Sequence, residues 1–139
     1  MAKLAIIYWS GTGNTEEMAA AVAAGAGENA DLLPVSAVTA EMAAGYDALA
    51  LGCPAMGAEE LEDSEFGPFF DELEPSLSGK SVGLFGSYGW GDGEWMRTWA
   101  ERVTGAGASL YGNEGIIACG APGADETAAL AAMGAALAG

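Results

Sequence analysis

The sequence predicts an α/β domain built on a doubly wound, five-stranded parallel sheet in the order 2-1-3-4-5. Three observations predict it. Runs that read as strands alternate with helical runs five times. The strand runs are apolar throughout rather than alternating, as expected of strands buried on both faces. Glycine-rich loops at 10–15, 54–60 and 87–93 follow the first, third and fourth strands, where ligands sit outside the carboxyl ends near the switch point of such a sheet. With 139 residues and no linker, internal repeat or charge-block tail, residues 1–139 are read as a single domain.

The elements follow in order. "KLAIIYW" (3–9) is a buried strand. "NTEEMAAAVAAGAGE" (14–28) is an alanine-rich helix with glutamates in its first turn and Thr12, Gly13 or Asn14 near the N-cap. "ADLLPVSAV" (30–38) is a weaker strand that Pro34 pushes to an edge. A short helix (39–45) leads to the strand "YDALALGC" (46–53), an acidic loop (54–67) and a short helix (68–77). "KSVGLFGSY" (80–88) is the fourth strand, and "GWGDG" (89–93) is the loop after it. The helix 94–107 carries Trp95, Trp99 and Val103 at i, i+4 and i+8, a core-facing stripe. "SLYGNEGIIACG" (109–120) is the last strand, with a candidate interruption at Gly112 to Gly115, and 125–137 is the closing helix.

Composition narrows the function. Twenty acids face four bases, a formal net charge of −16. Nucleic acid and anionic membrane both need a basic footprint and are excluded as partners. Docking onto basic protein faces is favoured instead. There is no histidine, which removes Ser-His-Asp and Cys-His catalysis and most zinc sites. No metal site is expected. Cys53 and Cys119 are far apart, follow apolar runs and read as small buried residues. No apolar run approaches the roughly 18 residues of a membrane span. The opening "MAKLAIIYW" reads as the first strand rather than a signal peptide, which places the protein in the cytoplasm.

"SGTGNT" (10–15) has the layout of a phosphate cradle without a cation. It is not a P-loop, since no G-K-[ST] follows. As a dinucleotide fingerprint it fails at Glu16, which stands where the third glycine belongs. What remains is a strand, a hydroxyl-rich turn and a helix N-terminus. Backbone N–H groups and the helix dipole can hold an anion there. Ser10, Thr12 and Thr15 supply hydroxyls and Asn14 an amide. The plainer reading is an ordinary strand-to-helix turn capped by Thr12 or Asn14.

"YWSGTGNT", "GCPAMGAEELEDS" and "GLFGSYGWGDGEWM", at their mutual spacing, resemble the flavodoxin family in its short-chain form. The resemblance is close over residues 3–107 and looser over the last strand and helix. It implies the flavodoxin-like fold and a non-covalently bound FMN. It implies a low-potential, one-electron carrier that shuttles between semiquinone and anionic hydroquinone, with no catalytic residues and no turnover of its own. By position it assigns Ser10, Gly11, Thr12, Gly13, Asn14 and Thr15 to the FMN phosphate, with Ser87 nearby. It sets Met56 on the inner face of the isoalloxazine, within the segment Ala55, Met56, Gly57, Ala58 and Glu59. Gly57 would present its carbonyl to flavin N5, and the Glu59 side chain would accept from N3–H. Trp90 would cover the outer face, and backbone N–H groups of Gly89, Trp90 and Gly91, following Tyr88, would serve the N1/O2 edge. One departure stands out. Where such relatives usually carry an asparagine in an acidic loop, this chain has "ACGAPG" (118–123), with Cys119 near the asparagine position. Whether that loop makes a polar contact stays open.

The residue types suit this chemistry. A flat apolar ring needs flat covers, and an indole in a glycine-rich loop can supply one. Trp9 fits either a core or a ring-side position. One-electron reduction adds a proton at N5. A carbonyl rotated toward it then gains a hydrogen bond of about 1 kcal/mol, and glycine at position 57 reaches the positive φ of such a turn cheaply. No lysine or arginine stands in the three loops, while Glu59, Glu60, Glu62, Asp63, Glu65, Asp92 and Glu94 cluster around them. Two unit charges about 10 Å apart, at an effective dielectric of about 40 to 80, repel by roughly 0.4 to 0.8 kcal/mol. Several such terms disfavour an anionic reduced flavin and lower its second potential. The same acids suit docking of redox partners with basic faces, the protein itself being a monomer.

Three other readings compete. An FMN-dependent NAD(P)H:quinone reductase on the same fold would need an open ring face, against Met56 and Trp90. A receiver domain would need aspartates ending strands 1 and 3 and a lysine after strand 5. A nicotinamide-binding module is disfavoured by Glu16.

Overall fold

A computed structural model describes residues 2–56, 60–89 and 91–139. Its strands are β1 (Leu4–Tyr8), β2 (Ala30–Pro34), β3 (Ala48–Gly52), β4 (Ser81–Tyr88), β5 (Ser109–Leu110) and β6 (Ile116–Cys119). The helices are α1 (Asn14–Ala26), α2 (Ala40–Ala44), α3 (Phe66–Leu73), α4 (Glu94–Gly105) and α5 (Ala124–Ala138).

All pairings between these strands are parallel, in the order β2-β1-β3-β4-β5, with β6 also on β4. The order 2-1-3-4-5 is therefore as expected, with the fifth strand in two pieces. Between them a 3₁₀ turn at Tyr111–Asn113 includes Gly112 at φ 69°, within the stretch the sequence marked as an interruption. β2 is an edge strand that ends at Pro34, which needs no donor on its open side.

The sheet is covered on both faces, and side-chain alternation sorts its residues. Ala5, Ile7, Leu49, Leu51, Val82 and Leu84 pack with Phe66, Phe70, Trp95, Trp99 and Val103 on the α3/α4 side. Leu4, Ile6, Ala48, Ala50 and Phe85 pack with Met18, Val22, Leu130 and Met133 on the α1/α5 side. β1 and β3 are buried on both faces, so they read as unbroken apolar runs. Trp95 and Trp99 lie in the core, as their spacing requires, and Trp99 meets Phe66 and Phe70 edge-on. Helices α1 and α5 approach closely because Gly25 and Gly134 carry no side chain. A Cβ at Gly134 would overlap the Val22 carbonyl, and one at Gly25 the Ala131 carbonyl.

The two cysteines differ. Cys53 is buried as expected, and burial pushes its thiol up to about 12 against the opposing pull of the Glu62 N–H. Cys119 corrects the sequence reading, because it is exposed. It ends β6, a strand that among the described residues pairs with β4 alone, and alternation that buries Ala118 turns Cys119 outward.

The four cations are all engaged in the fold. Lys3 reaches the Gly139 carbonyl. Lys80 donates to the carbonyls of Ala44 and Tyr46, at 2.7 and 2.8 Å. Arg97 pairs with Asp92, and Arg102 with Asp71 and Glu74.

Candidate functional site

The parallel ladder does not stop where the strands end. Trp9 N–H donates to the Gly52 carbonyl (3.0 Å), Cys53 N–H to Phe85 (3.1 Å), Ala55 N–H to Ser87 (3.0 Å) and Gly120 N–H to Tyr88 (2.9 Å). These bonds fix the first residues of the loops after β1, β3 and β6 at one edge of the sheet, beside the end of β4. The loops enclose a cavity of about 260 Å³ lined by Trp9, Gly11, Thr12, Asn14, Pro54, Ala55, Met56, Ser87, Tyr88, Gly89 and Gly120. No lysine or arginine is among them.

The turn that the sequence offers as a phosphate cradle is built from backbone and hydroxyls. α1 begins beyond Gly13, whose φ of 97° lets the chain turn sharply into the helix. The Gly13 N–H donates to Ser10 Oγ at 3.0 Å and the Asn14 N–H to Thr12 Oγ1 at 3.5 Å. Both hydroxyl oxygens act as acceptors here, which leaves their protons to be donated outward. The first intrahelical bond runs from Glu17 N–H to the Gly13 carbonyl. The N–H groups of Thr15 and Glu16 before it belong to the helix end, where the dipole is positive. Thr15 Oγ1 is buried and has no hydrogen-bond partner among the described residues. An orphaned buried hydroxyl beside a helix N-terminus fits an anion that would complete its bonding. The Trp9 ring lies over Gly11, where a Cβ would come within 3.0 Å of it. Glu16 is engaged by the Tyr8 hydroxyl at 3.2 Å. Burial first, then the Glu16 charge and this bond, push the Tyr8 phenol upward.

The second loop leaves β3 through Cys53, Pro54 and Ala55. Met56 and Glu60 exchange both backbone hydrogen bonds, each 2.9 Å. Met56 is exposed at the cavity. The third loop starts at Ser87, whose hydroxyl donates to the Gly120 carbonyl at 2.7 Å and ties β4 to the loop after β6. Trp95 Nε1 donates to the Cys53 carbonyl at 3.1 Å, bracing the β3 end from α4.

Of the residues assigned to FMN from sequence, Gly11, Thr12, Asn14, Ala55, Met56, Ser87, Tyr88 and Gly89 share this cavity. Ser10 and Gly13, joined by the bond above, and Thr15 lie in the same turn and helix start but are not among the lining residues. Gly91 lies in the adjoining loop at φ 87°. Gly57, Ala58, Glu59 and Trp90 lie outside the described residues. Sequence reasoning missed Pro54 and Gly120 and left Trp9 open. Their signal was position, each following the carboxyl end of a strand. In the loops after β3 and β4 Glu60, Asp63, Glu65 and Asp92 are exposed, as is Glu94 at the start of α4. Glu62, grouped with them from sequence, is instead buried at 3 % exposure.

The sequence pattern of the flavodoxin family matches residues 6–133. The flavodoxin of Megasphaera elsdenii is 54% identical over 111 residues, 77% of this chain and 80% of that one. The flavodoxin of Clostridium beijerinckii is 53% identical over 105 residues, 73% and 76% of the two chains. The solution structure of two-electron reduced Megasphaera elsdenii flavodoxin superposes with a TM-score of 0.86. It is 45% identical over 96% of this chain and 98% of that one.

Proposed function

The chain belongs to the flavodoxin family, and we propose that its three glycine-rich loops hold FMN in the cavity at the carboxyl edge of the sheet without a cation. The protein is an FMN electron carrier and not an enzyme. When bound, FMN supplies reversible uptake of electrons one at a time.

One observation carries the placement of the cofactor. The loops after β1, β3 and β4 line a single cavity that adjoins the helix N-terminus carrying the orphaned Thr15 hydroxyl. In this reading Ser10, Thr12, Asn14 and Thr15 donate to the phosphate together with N–H groups at the start of α1. Met56 would cover one ring face and Gly89 and Gly91 would serve the N1/O2 edge, while the roles that the resemblance gives Gly57, Glu59 and Trp90 fall outside the described residues. Ser87 braces the wall rather than gripping the phosphate, since its proton is held by the Gly120 carbonyl.

The charge arrangement gives a reason for the missing cation. None of the four lysines and arginines lines the cavity, Arg97 pairs with Asp92 in the third loop, and further exposed carboxylates stand in the loops beside it. A cation at the phosphate would favour negative charge on the ring, whereas the carboxylates oppose it. The carrier therefore works at low potential, between its one- and two-electron reduced levels. Its partners are redox proteins, and we assign them basic faces that meet the acidic rim. The monomer acts in the cytoplasm. Among the described residues no helix is long and apolar enough to cross a membrane.

The test is titration of flavin-free protein with FMN and with riboflavin, followed by flavin fluorescence. Stoichiometric quenching with FMN, and much weaker binding of riboflavin, is the expected result. Equal affinity for both would overturn the phosphate cradle. Turnover of NAD(P)H with a quinone would revive the reductase.

A further inference from the structure

We propose that Glu62 is a positioning residue for the flavin site, a role that rests on the function proposed above. Its carboxylate is buried among four donors, and it holds two of the cavity's loops in register.

The side chain accepts from four donors. Ser64 N–H reaches Oε2 at 2.8 Å, and the Ser64 hydroxyl bonds the same oxygen. Glu65 N–H and Phe66 N–H reach Oε1 at 2.8 and 2.7 Å. Burial alone pushes this carboxyl up, and the four donors together more than reverse it, holding it below the ordinary carboxylate value. The Glu62 backbone is tied as firmly. Its N–H donates to Cys53 Sγ at 3.3 Å, directly after β3, and its carbonyl accepts from Gly67 N–H at 2.7 Å.

These bonds lead to the cavity in two directions. Through Cys53, Glu62 is fixed to the residue that opens the second loop, two positions beyond the Met56–Glu60 pairing. Through Glu65 it reaches the first loop, because Glu65 Oε1 accepts the Trp9 indole N–H at 3.2 Å and Trp9 lies over Gly11. A residue that served α3 alone would not join the Met56 wall to the Trp9 wall.

Positioning and plain charge make different demands on potential. The first electron arrives with a proton and leaves the net charge of the ring unchanged, so a distant carboxylate affects it little. The second electron leaves the ring anionic, and removing any nearby carboxylate favours it. Displacing the loops should alter FMN affinity and the first couple.

The experiment compares Glu62→Gln with Asp63→Asn, which removes the same charge from the exposed neighbour. FMN affinity of the flavin-free proteins and both one-electron potentials of the loaded proteins are measured. Glu62→Gln is expected to weaken FMN binding at least tenfold and to shift the first couple. Asp63→Asn is expected to leave affinity within twofold and to move only the second. Identical behaviour of the two folded variants would overturn the proposal. If Glu62→Gln fails to fold, Ser64→Ala, which removes one donor, decides the matter. A smaller loss of FMN affinity supports positioning, and wild-type affinity overturns it. Wild-type protein measured alongside that takes up no FMN would overturn the functional reading itself, and this proposal with it.

Discussion

The Gly13 N–H donates to the hydroxyl oxygen of Ser10 at 3.0 Å across the turn that opens α1. The bond orients Ser10 so that its proton is directed away from the backbone. Ser10→Ala should weaken FMN binding by about 1 to 2 kcal/mol, roughly 5- to 30-fold. Riboflavin, which has no phosphate, should bind the variant and the wild type equally. Fluorescence titration with both ligands checks this, and an equal loss for both would point to a collapsed loop.

The close approach of α1 and α5 should be intolerant of bulk. Gly134→Val places a side chain against the Val22 carbonyl. A cost of at least about 1 to 3 kcal/mol in unfolding free energy is expected, read from urea denaturation. Gly79→Ala, at an open site with φ 81°, should cost less, since it brings backbone strain but no overlap.

The cysteines should separate in a thiol assay. Cys119 is exposed, whereas Cys53 is buried with its thiol pushed up to about 12. Native protein at mildly alkaline pH should release one equivalent with a disulfide reagent, and denatured protein two. Cys119→Ser should abolish the native reaction.

Tyr46 should make stability fall at high pH. Its hydroxyl donates to Asp31 Oδ2 at 2.6 Å, and that bond, then burial and the Asp31 charge, raise the phenol to about 12 from its ordinary 10. Between those values the unfolded chain has lost the proton and the folded chain keeps it. The contribution is therefore full below about pH 10 and lost as pH rises toward 12. Tyr46→Phe should flatten the alkaline limb of stability measured by denaturant at stepped pH.

The sheet order was legible because β1 and β3 are buried on both faces and leave unbroken apolar runs. The turn into α1 was legible because hydroxyls, glycines and a helix start fell together at 10–15. Other features depended on packing that residue type does not reveal. Pro54 and Gly120 line the cavity because the ladder continues past the strand ends. Cys119 is outward because Ala118 is inward, a parity that the split of the last strand obscures. Glu62 stands in an acidic run that reads as surface. Its donors come from Ser64, Glu65 and Phe66, which lead into α3, a helix that the sequence placed at 68 and the structure begins at Phe66.

The most direct test of the central claim is the visible spectrum of FMN-loaded protein during stepwise anaerobic reduction. On the proposed placement the ring has no cation beside it and exposed carboxylates in the neighbouring loops, which should separate the two electron steps. The yellow protein is then expected to turn blue, with long-wavelength absorbance rising through the first electron equivalent, before it bleaches with the second. Bleaching in a single phase, with no blue form at any point, would contradict the account.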